Sequence, residues 1–179
     1  NYYEKLPKGW AFCTLNNLGI YKKGPFGSSL TKSMFVNKNT PNCVKVYEQK
    51  NAIQHNAFIG DYYISQSKYN DMKSFNVRPK DIIVSCAGTI GEIYKLPENA
   101  PEGIINQALM KITLYNEIIS DYYEIVLYDA LHRLSEKSKG TAIKNIAPFD
   151  ILKPAIVMLP PLKEQEKILN KISVINNLL

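Results

Sequence analysis

The apolar residues change period once along this chain, and that change restricts the fold more than any composition figure does. Ahead of it, "INQALMKITL" (105–114) sets Met110, Ile112 and Leu114 opposite Lys111 and Thr113, the two-residue repeat of a half-buried strand. Beyond it, Ile119, Tyr122, Val126, Ala130 and Leu134 recur at helical spacing between Glu117 and Lys137, with Gly140 as a stop signal. A chain with strands on one side and an amphipathic helix on the other belongs to the α+β class.

The segments around this switch fill in the same picture. "LPKGWAFCTLNNLG" reads as a short strand or turn around Trp10. "NCVKVYEQ" (42–49) and "AFIGDYYISQ" (57–66) are rich in β-branched and aromatic residues and read as strands. The stretch between them, "EQKNAIQHN", reads as a polar, adaptable connection. "VRPKDIIVSCAGTIGEIYKLP" reads as strand, glycine turn, strand, a hairpin about Gly88 to Gly91. "KGTAIKNIAPFDI" is a polar loop and "KPAIVMLPP" a last short strand ended by prolines. A helix then starts at Pro161, with Glu164 and Glu166 in its first turn, where the macrodipole favours acids. Gln165, Ile168, Ile172, Ile175 and Leu179 step by three and four along it, the seam of a coiled coil. Two heptads are short, so a helix packed on its own domain stands as the alternative. The expected organisation is one mainly β domain over 1–160, with a central helix, followed by a helical arm over 161–179.

Composition excludes several classes. A chain of 179 residues, 45% hydrophobic and 21% charged, can bury a core and is not a disordered tail. It has no apolar run of membrane-span length and opens with no signal peptide. Cys13, Cys43 and Cys86 lack CxxC spacing and read as reduced thiols of a cytoplasmic protein. His55 and His132 lie near no cysteine pair, so neither zinc nor another metal is expected. The first residue is Asn1, not Met, which suggests a fragment or the later part of a longer protein. The net charge of +6 favours a polyanionic partner; nearly all the cations are lysines, with Arg78 and Arg133 the only arginines.

"GPFGSSL" (24–30), beside Lys22, Lys23 and Lys32, has the residue types of a phosphate-gripping loop. It is not a nucleotide loop, because Gly27 is followed by "SSLTKS" and the second glycine before the lysine is missing. A tight turn capped by serines is the plainer reading. Catalytic sets are absent as well. The one Glu-x-Lys, Glu48-Gln49-Lys50, has no aspartate before it, and "APFD" (147–150) lacks the Asn and second Pro of a methyltransferase tetrapeptide. No cofactor is implied, and no reaction.

In order, "LPKGW…LNNLG", "GPFGSSL", "RPKDIIVSCAGTIGEIYKLPE", "INQALMKI", "KGTAIKNI" and "MLPPLKEQEKI" resemble the specificity subunits of type I restriction–modification systems, over nearly the whole chain. They match one target recognition domain with the start of a spacer helix. The resemblance implies a twisted, β-helix-like mixed-sheet domain with a central helix and a C-terminal coiled-coil-forming helix. It implies a non-catalytic module that reads one half of a split target in double-stranded DNA, while separate methyltransferase subunits and a restriction (translocase and nuclease) subunit act on it. Family members usually carry two recognition domains, so a second domain or second copy would join through the spacer helix. On this resemblance the loop's phosphate belongs to a DNA backbone. Lys22, Lys23, Gly27, Ser28, Ser29 and Lys32 are expected to hold it, with Thr141, Lys144 and Asn145 as a second edge. Base reading would fall to Gln49, Asn51, Gln54, His55, Gln66, Lys68 and Tyr69. A recognition domain of a fused restriction–methylation enzyme, and an assembly scaffold built on the coiled coil, are the competing readings.

Overall fold

The computed structural model describes residues 6–137 and 152–176. Eleven strands of the described residues form three sheets. Strands β1 (Ala11–Thr14) and β11 (Ile156–Leu159) pair antiparallel, Ala11 opposite Leu159, and so tie the start of the domain to its end. A four-stranded antiparallel sheet has the order β2 (Gly19–Lys23), β10 (Leu109–Leu114), β7 (Ile82–Ser85), β8 (Ile93–Lys95). A five-stranded sheet has the order β3 (Phe35–Val36), β5 (Tyr63–Ile64), β4 (Val44–Tyr47), β9 (Gly103–Ile105), β6 (Asn76–Val77); its β4–β9 pair is parallel and the rest antiparallel. Four helices are described: α1 (Gln49–Ile53), α2 (Gln66–Asp71), α3 (Ser120–Lys137) and α4 (Leu162–Asn176). The protein is α+β, as its apolar periods predict. Among the described residues, no helix is long and apolar enough to cross a membrane.

Strand alternation stacks three cores. On β10, Met110 and Ile112 face the largest core with Ile82 and Val84 of β7, whereas Leu109 and Ile83 face the second core. On β4 and β9, Tyr47 and Ile105 line that second core from its other side, and Val44, Val46 and Ile104 line a third. The four-stranded sheet therefore divides the first core from the second, and the five-stranded sheet the second from the third. Helix α3 closes the first core with Tyr122, Val126 and Ala130, and Ile119, in the 3-10 turn just ahead of the helix, joins them, as the stripe read from the sequence predicts. Beneath it the Tyr123 and Tyr21 hydroxyls meet at 2.5 Å, and Tyr21 donates onward to the Leu15 carbonyl at 2.8 Å. Burial holds both phenols well above their ordinary pKa, so the pair stays neutral and acts as a polar lock.

The hairpin about Gly88–Gly91 is present: β7 and β8 pair with Ile82 opposite Lys95, and Gly88 and Gly91 take positive φ values of 66° and 90° at its turn. Two segments differ from expectation. Only Tyr63 and Ile64 of 57–66 are strand. Asn56 and Phe58 turn the chain through an Asn56 Oδ1 bond to the Phe58 amide at 2.8 Å, and the Ile59 carbonyl is taken by the buried Lys45 at 2.5 Å. "EQKNAIQHN" is not an adaptable connection. It is the short helix α1, fixed by Asn51 and by Ala52, which is fully buried in the second core.

Candidate nucleic-acid interface

The carboxyl ends of β2, β4, β7 and β9 and the amino end of β10 meet at one rim. The Gly24 amide donates to the Leu109 carbonyl at 2.8 Å, the Cys86 amide to Ala108 at 2.7 Å, and the Asn106 amide to Tyr47 at 3.0 Å. These bonds bring the 24–30 loop, the 86–91 turn, residues 106–108 and the start of α1 together. Gly24 allows it, since a Cβ there would sit 1.8 Å from the Asn106 carbonyl oxygen. Gln49, at the start of α1, lies against Gly88: a Cβ on that glycine would be 3.2 Å from Gln49 Nε2. Exposed at the rim are Lys23, Phe26, Gly27, Ser28, Ser29, Gly88, Thr89 and Gln107, a set of one cation, one aromatic ring, small residues and hydrogen-bonding groups. Burial pushes the Cys86 thiol beneath it up to about 11, opposed by the nearby Lys23 charge, so it is an inert core thiol.

The structure sorts the sequence-based candidates. Gly27, Ser28 and Ser29 form an exposed 3-10 turn, and Lys23 is exposed beside it. Lys22 faces the other way, as alternation on β2 requires: its ammonium lies 4.7 Å over the Phe75 ring, opposite Lys111 in the strand register. Lys111 in turn donates to the backbone carbonyl and side chain of Asn76, and burial lowers its pKa. Lys32 is exposed in a separate turn, between Leu30 and Phe35, which both pack in or on the third core. Gln54 and His55 are exposed at the far end of α1, about one and a half turns from Gln49. His55 takes φ 46° there and stacks on Tyr94, ring centroids 5.7 Å apart. Gln66 is exposed and Lys68 half-buried on α2, across the five-stranded sheet from α1, because α2 packs Tyr69, and its C-cap Met72, into the third core and α1 packs Ala52 into the second. The two polar sets thus sit on opposite faces of that sheet. Thr141, Lys144, Asn145 and Leu179 lie outside the described residues.

Two expected base readers are structural instead. Asn51 is fully buried: its Oδ1 accepts the Glu48 amide at 2.7 Å, and its Nδ2 donates to the Asn56 and Ile59 carbonyls at 2.9 and 2.8 Å. Every polar atom of that side chain is engaged within the domain, so it has nothing left for a base. Tyr69 is buried in the third core, and its hydroxyl donates to Glu102 Oε1 at 2.6 Å. Sequence reading also passed over Lys45, a buried lysine among the Tyr47 and Tyr63 rings, whose pKa burial lowers against the opposing pull of Glu48. Its strand pattern, V-K-V-Y, gives no hint that the lysine faces inward.

Residues 7–179 match the family described as the type I restriction modification DNA specificity domain. The chain belongs to that family. No curated protein matches it in sequence. Among solved structures, the specificity domain is similar to a chain described under "Structural basis underlying complex assembly and conformational transition of the type I R-M system", at 18% identity and a TM-score of 0.64, over 98% of this chain and 40% of that one. It is similar to the HsdS subunit from Thermoanaerobacter tengcongensis, at 17% identity and a TM-score of 0.60, over 99% of this chain and 40% of that one. It is also similar to the type I restriction-modification S subunit from M. genitalium, at 13% identity and a TM-score of 0.54, over 95% and 44%. At these identities the likeness concerns the fold, and the specificity domain spans well under half the length of each chain.

The helical arm of the specificity domain is built in two parts. Trp10 Nε1 donates to Glu164 Oε2 at 2.6 Å, and the buried Gln165 donates its amide to the Pro160 carbonyl at 2.8 Å. Ile168 and Leu169 pack on the first core, and α4 lies against α3. The first turns of the expected seam, Gln165 and Ile168, are therefore used by the domain itself. Ile172 is half-buried, and beyond it Val174 and Ile175 are 59% and 57% exposed.

Proposed function

We propose that this specificity domain reads one half of a split target in double-stranded DNA and does no chemistry itself, directing separate methyltransferase and restriction subunits in the cytoplasm. The observation that carries the reading is the rim. A cationic, serine-bearing turn and the Gln49 end of α1, distant in sequence, lie side by side in a chain of this family. Lys23, Ser28 and Ser29 meet phosphates, with Lys32 as a second anchor, and fix the domain's register on the duplex. Gln49, Gln54 and His55 face the bases, glutamine being able to make two hydrogen bonds to adenine. The exposed end of α4 at Val174 and Ile175 continues the seam onto a second recognition domain or a second copy of the chain.

The two groups should fail differently. Removing Lys23 and Lys32 should weaken binding to every sequence alike and reduce the slope of log affinity against log salt by about 0.9 per lost phosphate contact. Replacing Gln49 or Gln54 should leave that slope intact and change the preferred base by about 1–3 kcal/mol. The measurement is the affinity of the assembled complex for target and scrambled duplexes at several salt concentrations. Lysine variants that change sequence preference, with glutamine variants that change only the salt slope, would reverse the assignment of the two surfaces.

A further inference from the structure

We propose that Phe26 is a wedge that enters the base stack of the bound duplex at a single step. The proposal rests on the DNA-reading function above and adds to it a deformation of the DNA. Phe26 is 86% exposed, more than any other large apolar side chain among the described residues. It is displayed on a fixed loop. Pro25 and Leu30 are buried on either side of it, Gly24 is clamped against Asn106, and the Ser29 amide closes the turn on the Phe26 carbonyl at 2.8 Å. The ring therefore projects from a rigid base and pays little ordering entropy on contact.

What surrounds it is small. Gly27, Ser28 and Ser29 follow directly, and Gly27 is not required by the domain's own packing: its φ is not positive, and a Cβ there would meet nothing within 4 Å. The space beside the ring is clear for something outside the domain. Lys23 and Lys32 flank the loop in sequence, and the chain carries a net charge of +6, which favours an anionic partner there. The one large apolar surface a nucleic acid offers is the face of its bases. A ring presented on a narrow loop that cations bound in sequence matches the way apolar side chains are inserted between base steps, partly unstacking them and kinking the duplex. Pyrimidine–purine steps open most easily and are the expected place of entry.

The test uses the full-length subunit assembled with its methyltransferase subunits and target duplexes carrying 2-aminopurine at successive positions. Apart from the target bases that the methyltransferase subunits themselves extrude, the parent complex should brighten the probe at one step. F26A should abolish that brightening and lower affinity by about tenfold, within the range of a lost base–aromatic contact. The salt slope and thermal midpoint should not move, since Phe26 touches no phosphate and is not part of any core. F26W should retain the signal. If F26A brightens the same step and binds within about twofold of the parent, the ring lies outside the stack and the proposal is wrong. A parent complex that binds the target with no brightening beyond the extruded target bases would overturn the wedge and leave DNA reading intact. A parent complex that binds no duplex would overturn both.

Discussion

Replacing Asn51 with alanine is expected to destabilise the domain by about 3 kcal/mol and to leave the base preference of whatever remains folded unchanged. The fully buried side chain holds three partly buried backbone groups, the Glu48 amide and the Asn56 and Ile59 carbonyls. Truncation leaves these without their partner, at a cost of about 1–3 kcal/mol for each buried group that finds no other. The Ile59 carbonyl keeps Lys45 as a donor, so the total should fall below three full penalties. Urea unfolding of the variant and parent checks the figure. A variant as stable as the parent, but with altered sequence preference, would return Asn51 to the base-reading set. Gln54, exposed at the other end of the same helix, should behave in the opposite way.

Ile168→Glu is expected to cost roughly 2–4 kcal/mol of domain stability, because a carboxylate would be forced against the first core beside Leu169. Val174→Glu together with Ile175→Glu should change stability by no more than about 0.5 kcal/mol per site, since both side chains are exposed. The double variant should instead lose association through the seam, where burying charge opposes helix pairing. Thermal unfolding reads the first effect and sedimentation of the assembled complex the second. If Ile168→Glu leaves the melting temperature unchanged, α4 is not seated on the domain as its contacts indicate. If the exposed-end variant assembles like the parent, the seam stops at Ile172.

The difference between Ile168 and Ile175 marks where sequence reading ends. Both occupy equivalent positions in a three-four repeat, so spacing assigns them one role; the place where α4 leaves the surface of α3 decides which is core, and that is a tertiary property. Long, regular patterns were legible for the same reason. β10 and α3 each repeat one period several times, and the apolar positions it marks, Met110 and Ile112 on the strand and Tyr122, Val126 and Ala130 on the helix, are buried in the first core. Helix α1 has only five residues, too few for a period, and it depends on Asn51 bonds to a segment that follows it. Tyr69 could have been an exposed stacking residue or a core aromatic on composition alone, and only its place on the inner face of α2, bonded to Glu102, separates the two. At the candidate interface, the loop 24–30 was legible as a turn among cations. Its union with Gly88 and Gln49 was not, because that depends on strand ends brought together by the sheets. Phe26 was hidden by its type: a phenylalanine reads as core until its exposure is seen.

The central claim is that this domain chooses half of a DNA target. The most direct measurement is to map methylated adenines in cells carrying the full-length subunit with its methyltransferase partners, before and after residues 7–160 are exchanged for the corresponding segment of another specificity subunit. The account predicts a split methylated sequence in which one half changes with the exchange and the other half stays as it was. A methylated sequence that is unaltered by the exchange would contradict it.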